Sequence, residues 1–111
     1  MASRYVPVPG DIVWLDFDPR TGHEQAGHRP ALVLSAASYN GRTGLMVCCP
    51  LTTKIKGFPF EVVVAGKPPS AVLTDAIRSV DWRARGARKK GKVTAAELTD
   101  VKAKIAALIG L

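Results

Sequence analysis

Between residues 22 and 30 the chain reads Gly-His-Glu-Gln-Ala-Gly-His-Arg-Pro, which sets a carboxylate (Glu24), two imidazoles (His23 and His28) and a guanidinium (Arg29) within nine residues. A guanidinium holds two oxygens of a phosphate or carboxylate at once with its planar fork. Imidazole titrates near neutrality and can take or give a proton. A carboxylate can orient or deprotonate a hydroxyl. Together they make this stretch the densest cluster of functional groups in the chain. The plainer alternative is a solvated, charged loop, since exposed charges are common on any protein.

Two further stretches carry polar function. Pro50-Leu51-Thr52-Thr53-Lys54-Ile55-Lys56-Gly57 offers hydroxyls at Thr52 and Thr53 that can donate to a phosphate, and cations at Lys54 and Lys56 that can neutralise one. Threonines making local turns are the alternative there. Residues 83–92 hold Arg83, Arg85, Arg88, Lys89, Lys90 and Lys92, six bases in ten residues. Such a run tracks a nucleic-acid backbone, docks an acidic protein, or guards a strand edge against aggregation. Trp14 and Trp82 are candidates for stacking on bases, although tryptophan more often anchors a core. Three well-spaced metal ligands are not evident, and neither a phosphate-binding glycine loop nor a dinucleotide fingerprint occurs.

These residues need a scaffold. Ile12 to Phe17 is β-branched and aromatic and predicts a strand, broken by Asp18-Pro19. Ala31 to Ser35 is nearly all apolar and predicts a strand buried on both faces. Asn40-Gly41 predicts a turn over residues 39–44. Leu45 to Cys49 predicts a third strand, stopped by Pro50, and Phe60 to Ala65 a fourth. Ala71 to Thr74 and Arg78 to Trp82 predict short strands on either side of Asp75. The end of the chain predicts a helix. Thr94 and Glu97 form a capping box, Leu98, Val101, Ile105 and Leu108 make an apolar stripe, and Gly110 ends it. Short strands followed by one helix predict a mainly β fold, a small barrel with a C-terminal α-helix.

The chain has 111 residues, which fits one domain spanning residues 1–111. Its hydrophobic content of 47% excludes a disordered chain. A formal charge of +7 predicts attraction to polyanions. No apolar run approaches the roughly 20 residues of a membrane span, and residues 1–10 lack the apolar stretch of a signal peptide. Cys48 and Cys49 are adjacent, so in a strand they point to opposite faces and do not pair with each other. The expectation is a cytoplasmic protein with reduced thiols.

On these residues the chain resembles the MazF/PemK family of toxins, and within it the MazF branch. The stretches that carry the resemblance are 3–7, 10–11, 16–19, Glu-Gln-Ala-Gly-His-Arg-Pro-Ala at 24–31, Pro-x-Thr-Thr at 50–53, Lys-Gly-Phe-Pro-Phe-Glu-Val-Val at 56–63, Trp-Arg-Ala-Arg-Gly-Ala at 82–87 and Lys-Ala-Lys-Ile at 102–105. They cover essentially the whole chain. The resemblance implies an SH3-like β-barrel that forms a homodimer. It implies an acidic antitoxin protein that covers the RNA site, and cleavage of single-stranded RNA, chiefly mRNA, at a short motif. It implies no cofactor and no metal. Arg29 and Thr52 match the family's main catalytic positions and Glu24 an acidic position important in this branch. Trp14, His28 and Lys56 resemble RNA-contacting positions, and Thr53, Asp75 and Arg85 complete the expected substrate-binding set. Two departures stand out: Ala76 replaces a common glutamine after Asp75, and Leu73 stands where some relatives carry an arginine.

The chemistry so implied uses the RNA's own 2′-OH as nucleophile, giving a 2′,3′-cyclic phosphate and a 5′-OH. Two other readings compete: an inhibitor that binds a protein target without cutting, and a nucleic-acid-binding regulator that also accepts DNA.

Overall fold

The computed structural model describes residues 4–17 and 27–111. Glu24 and the rest of 18–26 lie outside the described residues. Among the described residues seven antiparallel strands form one curled sheet: β1 (Asp11–Phe17), β2 (Gly27–Val33), β3 (Leu45–Thr52), β4 (Glu61–Val64), β5 (Ser70–Leu73), β6 (Arg78–Asp81) and β7 (Arg88–Lys92). Two α-helices among the described residues complete it, α1 (Ala37–Thr43) and α2 (Ala95–Ile109). The order across the sheet is β4-β5-β3-β2-β1-β7, with β6 also pairing β3. The expected fold class, mainly β with a C-terminal helix, is what forms.

Alternation along the strands gives the sheet two apolar faces. Val13, Leu15, Val33, Met46, Cys48, Val80 and Trp82 pack together on one. Leu32, Cys49, Leu51, Val64 and Val72 form the other, covered by Val101 and Ile105 of α2. Cys48 and Cys49 fall on opposite faces, both buried and unpaired. Helix α2 begins and ends as its sequence dictates. Thr94 accepts from the Glu97 backbone, Glu97 accepts from the Thr94 backbone, and Gly110 takes the left-handed conformation at φ 80°. Leu108 departs from the expected stripe, being half exposed. No described helix is long and apolar enough to cross a membrane.

β2 begins at Gly27 and ends at Val33, where the expected strand ran from Ala31 to Ser35, so His28 and Arg29 stand on the strand itself. Two further expectations are overturned. Asn40-Gly41 is not a turn but part of α1. The Asn40 side chain is fully buried, donating to the carbonyls of Pro7 at 2.8 Å and Ser35 at 3.0 Å and accepting from the Ser35 hydroxyl. A satisfied amide of this kind removes the reason for Asn to prefer a turn. Gly44, not Gly41, supplies the left-handed residue, at φ 74°.

Nor does Pro50 stop β3, which runs on to Thr52. One edge of β3 is shared by β6, paired at Leu45–Cys48, and β5, paired at Leu51–Thr52. Between Cys48↔Arg78 and Leu51↔Val72 the outer chain advances six residues against three in β3. The excess is a single 3-10 turn, Thr74–Ala76. Pro50 lies opposite that turn, where a missing N–H costs no ladder bond.

Candidate active site

The same hydrogen-bond arithmetic opens a cleft. Leu34 N donates to Val47 O at 2.9 Å, so alternate residues of β2, Leu32 and then Pro30, are the ones whose backbone faces β3. Pro30 has no N–H to give. The β2–β3 ladder ends at Ala31↔Pro50. Carried two residues further, its register sets Arg29 opposite Thr52, just past the last rung. Both line a cleft of about 550 Å³, together with Trp14, His28, Thr53 and Lys54.

Trp14 reaches the cleft from β1 and is half-buried, its ring lying 5.3 Å below the Lys90 ammonium. His28 pairs across the sheet with Asp16, and its Nδ1 stands 2.9 Å from Asp16 Oδ1. Arg88 of β7 approaches the same imidazole, its Nη2 3.2 Å from Nε2. The Thr52 hydroxyl accepts the Lys54 N–H at 3.1 Å, which fixes the first turn of the loop after β3. The hydroxyl proton remains available to a phosphate. Further along that loop, Glu61 accepts the N–H groups of Lys56 and Gly57 and holds its far side.

Of the expected residues, the cleft therefore gathers Arg29, Thr52, Thr53, Trp14 and His28. It does not gather Lys56, Asp75 or Arg85. Lys56 is exposed on the loop, and Asp75 is exposed in the 3-10 turn. Arg85 lies beside β1, donating to the Asp16 carbonyl at 3.4 Å. Trp82 is a core residue, 7% exposed, with Nε1 donating to the Asn40 carbonyl at 3.0 Å. Two participants escaped the sequence reading: Asp16 as the neighbour of His28, and Lys90 as a cleft residue within the basic run. Gly91, an isolated glycine beside Lys90, was the available signal for the bulge described below.

A curled antiparallel sheet with a helix across one face thus carries, where two of its strands part, a cationic cleft suited to an anionic group such as a phosphate. The family described as PemK-like, MazF-like toxin of type II toxin-antitoxin system matches residues 8–109. The endoribonuclease toxin MazF of Escherichia coli strain K12 is 58% identical over 111 residues, covering 99% of this chain and 100% of that protein. Escherichia coli PemK, also an endoribonuclease, is 29% identical over 106 residues, covering 90% of this chain and 80% of its own. A MazE–MazF crystal structure from Deinococcus radiodurans superposes with a TM-score of 0.89 at 50% identity, covering 96% of this chain and 98% of that one. The chain belongs to the PemK-like, MazF-like toxins of type II toxin–antitoxin systems, a family of endoribonucleases.

Proposed function

We propose that this protein cuts single-stranded RNA, chiefly mRNA, at a short sequence motif in the cleft between β2 and β3, and so arrests translation and growth in the cytoplasm. The observation that carries the reading is the meeting of Arg29 and Thr52 at the open end of the β2–β3 ladder, in a cleft also lined by Lys54 and Lys90.

In this mechanism the 2′-oxygen attacks the adjacent phosphorus in line as its proton leaves. The bond from phosphorus to the 5′-oxygen breaks, and that oxygen takes up a proton. The products are a 2′,3′-cyclic phosphate and a 5′-OH. The tethered nucleophile needs no metal to activate it. The protein's task is to align the phosphate and to stabilise the charge that builds on its oxygens. Arg29 does this with two parallel donors and Thr52 with a third. Glu24 orients or deprotonates the 2′-OH. A guanidinium holds its proton to pH ~12, so a water or His28 serves the leaving oxygen. The chain acts as a homodimer, and an acidic antitoxin tail neutralises it by occupying this cationic cleft.

The test is cleavage, in EDTA, of two matched oligonucleotides, one all RNA and one with a single 2′-deoxy residue at the scissile position. Cutting of the RNA alone, with a cyclic phosphate end, is the expected result. Cutting of both would overturn the tethered-hydroxyl mechanism. Intact mixed-sequence RNA in the presence of folded protein would overturn the nuclease reading.

A further inference from the structure

The basic run 83–92 breaks up once its side chains are followed. Arg83 donates to the Gly41 carbonyl at 2.6 Å and lies over Trp82. Arg85 reaches the Asp16 carbonyl, Arg88 meets His28, and Lys89 stands 3.5 Å from the buried Asp11 carboxylate. Among the described residues of the run, Lys90 is the one that lines the cleft. A β-bulge puts it there. Between Ile12↔Gly91 and Val13↔Lys89, β7 advances two residues against one in β1, and the extra residue is Lys90. A bulge twists its strand and re-aims the side chain it carries. The Lys90 ammonium comes to rest 5.3 Å from the centroid of the Trp14 ring, on the wall of the cleft that holds Arg29 and Thr52.

We propose that Trp14 and Lys90 form a nucleotide subsite beside the scissile phosphate. This rests on the reading of the cleft as the RNA site. In the unliganded protein Lys90 covers the Trp14 ring. When RNA enters, a base stacks on that ring and Lys90 moves off it to the phosphate of the same nucleotide. The exchange is favourable because an exposed ammonium is held only weakly by an aromatic face, whereas a phosphate offers it a full opposite charge. Every base has a face to stack, so the subsite supplies affinity and placement without choosing among bases.

The test is titration of the protein with a single-stranded oligodeoxynucleotide of mixed sequence, followed by tryptophan fluorescence at several salt concentrations, alongside RNA cleavage kinetics. The expected result has three parts. The wild-type signal changes on binding, and Trp14→Phe abolishes the change. Lys90→Gln weakens binding about fivefold at low salt and makes the plot of log K against log salt shallower by about 0.7. It also raises KM for RNA more than it lowers kcat. Lys92→Gln removes the same charge two residues along the strand and serves as the control, with wild-type slope and signal expected. Equal effects of Lys90→Gln and Lys92→Gln, or no effect of Lys90→Gln, would overturn the subsite. If the fluorescence and salt results hold but RNA is not cut, the subsite stands and the nuclease reading falls.

Discussion

Arg29 of β2 and Thr52 of β3 face one cleft from two strands whose ladder stops two residues short of them. The stop has a cause in the backbone, since Pro30 occupies the next hydrogen-bonded rung. The side chains that must reach a phosphate thus stand where two strands part from each other, while each strand stays paired along its other edge, Arg29 with Leu15 and Thr52 with Ala71.

If Arg29 supplies the main stabilisation of the transition state, its loss removes activity and leaves the fold. Arg29→Ala is expected to keep the wild-type circular dichroism and melting temperature while cleavage falls below detection. Thr52→Val is expected to lower kcat by about 10²-fold, as loss of one donor to a developing charge does elsewhere. Thr52→Ser keeps the donor and also the bond to Lys54 N, and most of the rate with it. A folded Arg29→Ala protein that cuts RNA normally would remove Arg29 from the catalytic assignment.

The thiols are expected to be inert in the native state. Burial pushes Cys48 up to about 11 and Cys49 up to about 12, the charges of Arg78 and Arg85 pulling the former back slightly. Thiolate is the reactive form, and at pH 7.4 almost none is present. Alkylation by iodoacetamide should therefore be negligible in buffer and complete in denaturant, as mass spectrometry reads directly. Rapid native labelling of either residue would contradict the packed faces described for β3.

Glu97 links stability to pH. Backbone N–H groups of Thr94 and Ala65 hold its carboxyl below the usual value, outweighing a small opposing effect of burial. A lowered folded value means that stability is present above the unfolded value of about 4.3 and disappears as pH falls through the folded one. Melting temperatures of the wild type and Glu97→Gln should differ at pH 7 and converge as pH falls through the lowered folded value. The gap at neutral pH should be modest, of the order of 1 kcal/mol for a cap. A gap that widens in acid would show the sign to be wrong.

Elements governed by local chemistry were legible in the sequence. The capping box Thr94/Glu97 and Gly110 set the limits of α2, and the apolar run 31–35 located the C-terminal half of β2 but not its start at Gly27. What failed was decided by distant partners. Asn40 reads as a turn residue until Pro7 and Ser35 arrive to satisfy its amide. Pro50 reads as a strand end until the turn at Thr74–Ala76 leaves its edge unpaired. For the site, Arg29 and Thr52 could be named from composition and resemblance, but that they meet depends on the β2–β3 register. Lys90 was indistinguishable from five other bases because a bulge, not its type, sends it into the cleft.

Asp11 is the remaining place where one substitution tests the architecture. Its carboxylate is 1% exposed. One oxygen accepts from the Tyr5 hydroxyl at 2.6 Å and from Val8 N at 3.2 Å, and the other lies 3.5 Å from the Lys89 ammonium. At that distance Lys89 contributes as a charge, not as a hydrogen bond, and the second oxygen has no hydrogen-bond partner. Asp11 therefore ties the N-terminal arm to β7, the strand that carries Lys90. Asp11→Ala would strand a partly buried phenol and a backbone donor together, with an expected loss of about 3 kcal/mol in urea unfolding. Lys89→Met should cost less, since Lys89 is 47% exposed and its removal leaves the hydrogen bonds to Asp11 in place. If Lys89→Met proved as damaging as Asp11→Ala, the ion pair and not the hydrogen-bonded arm would be what holds this corner.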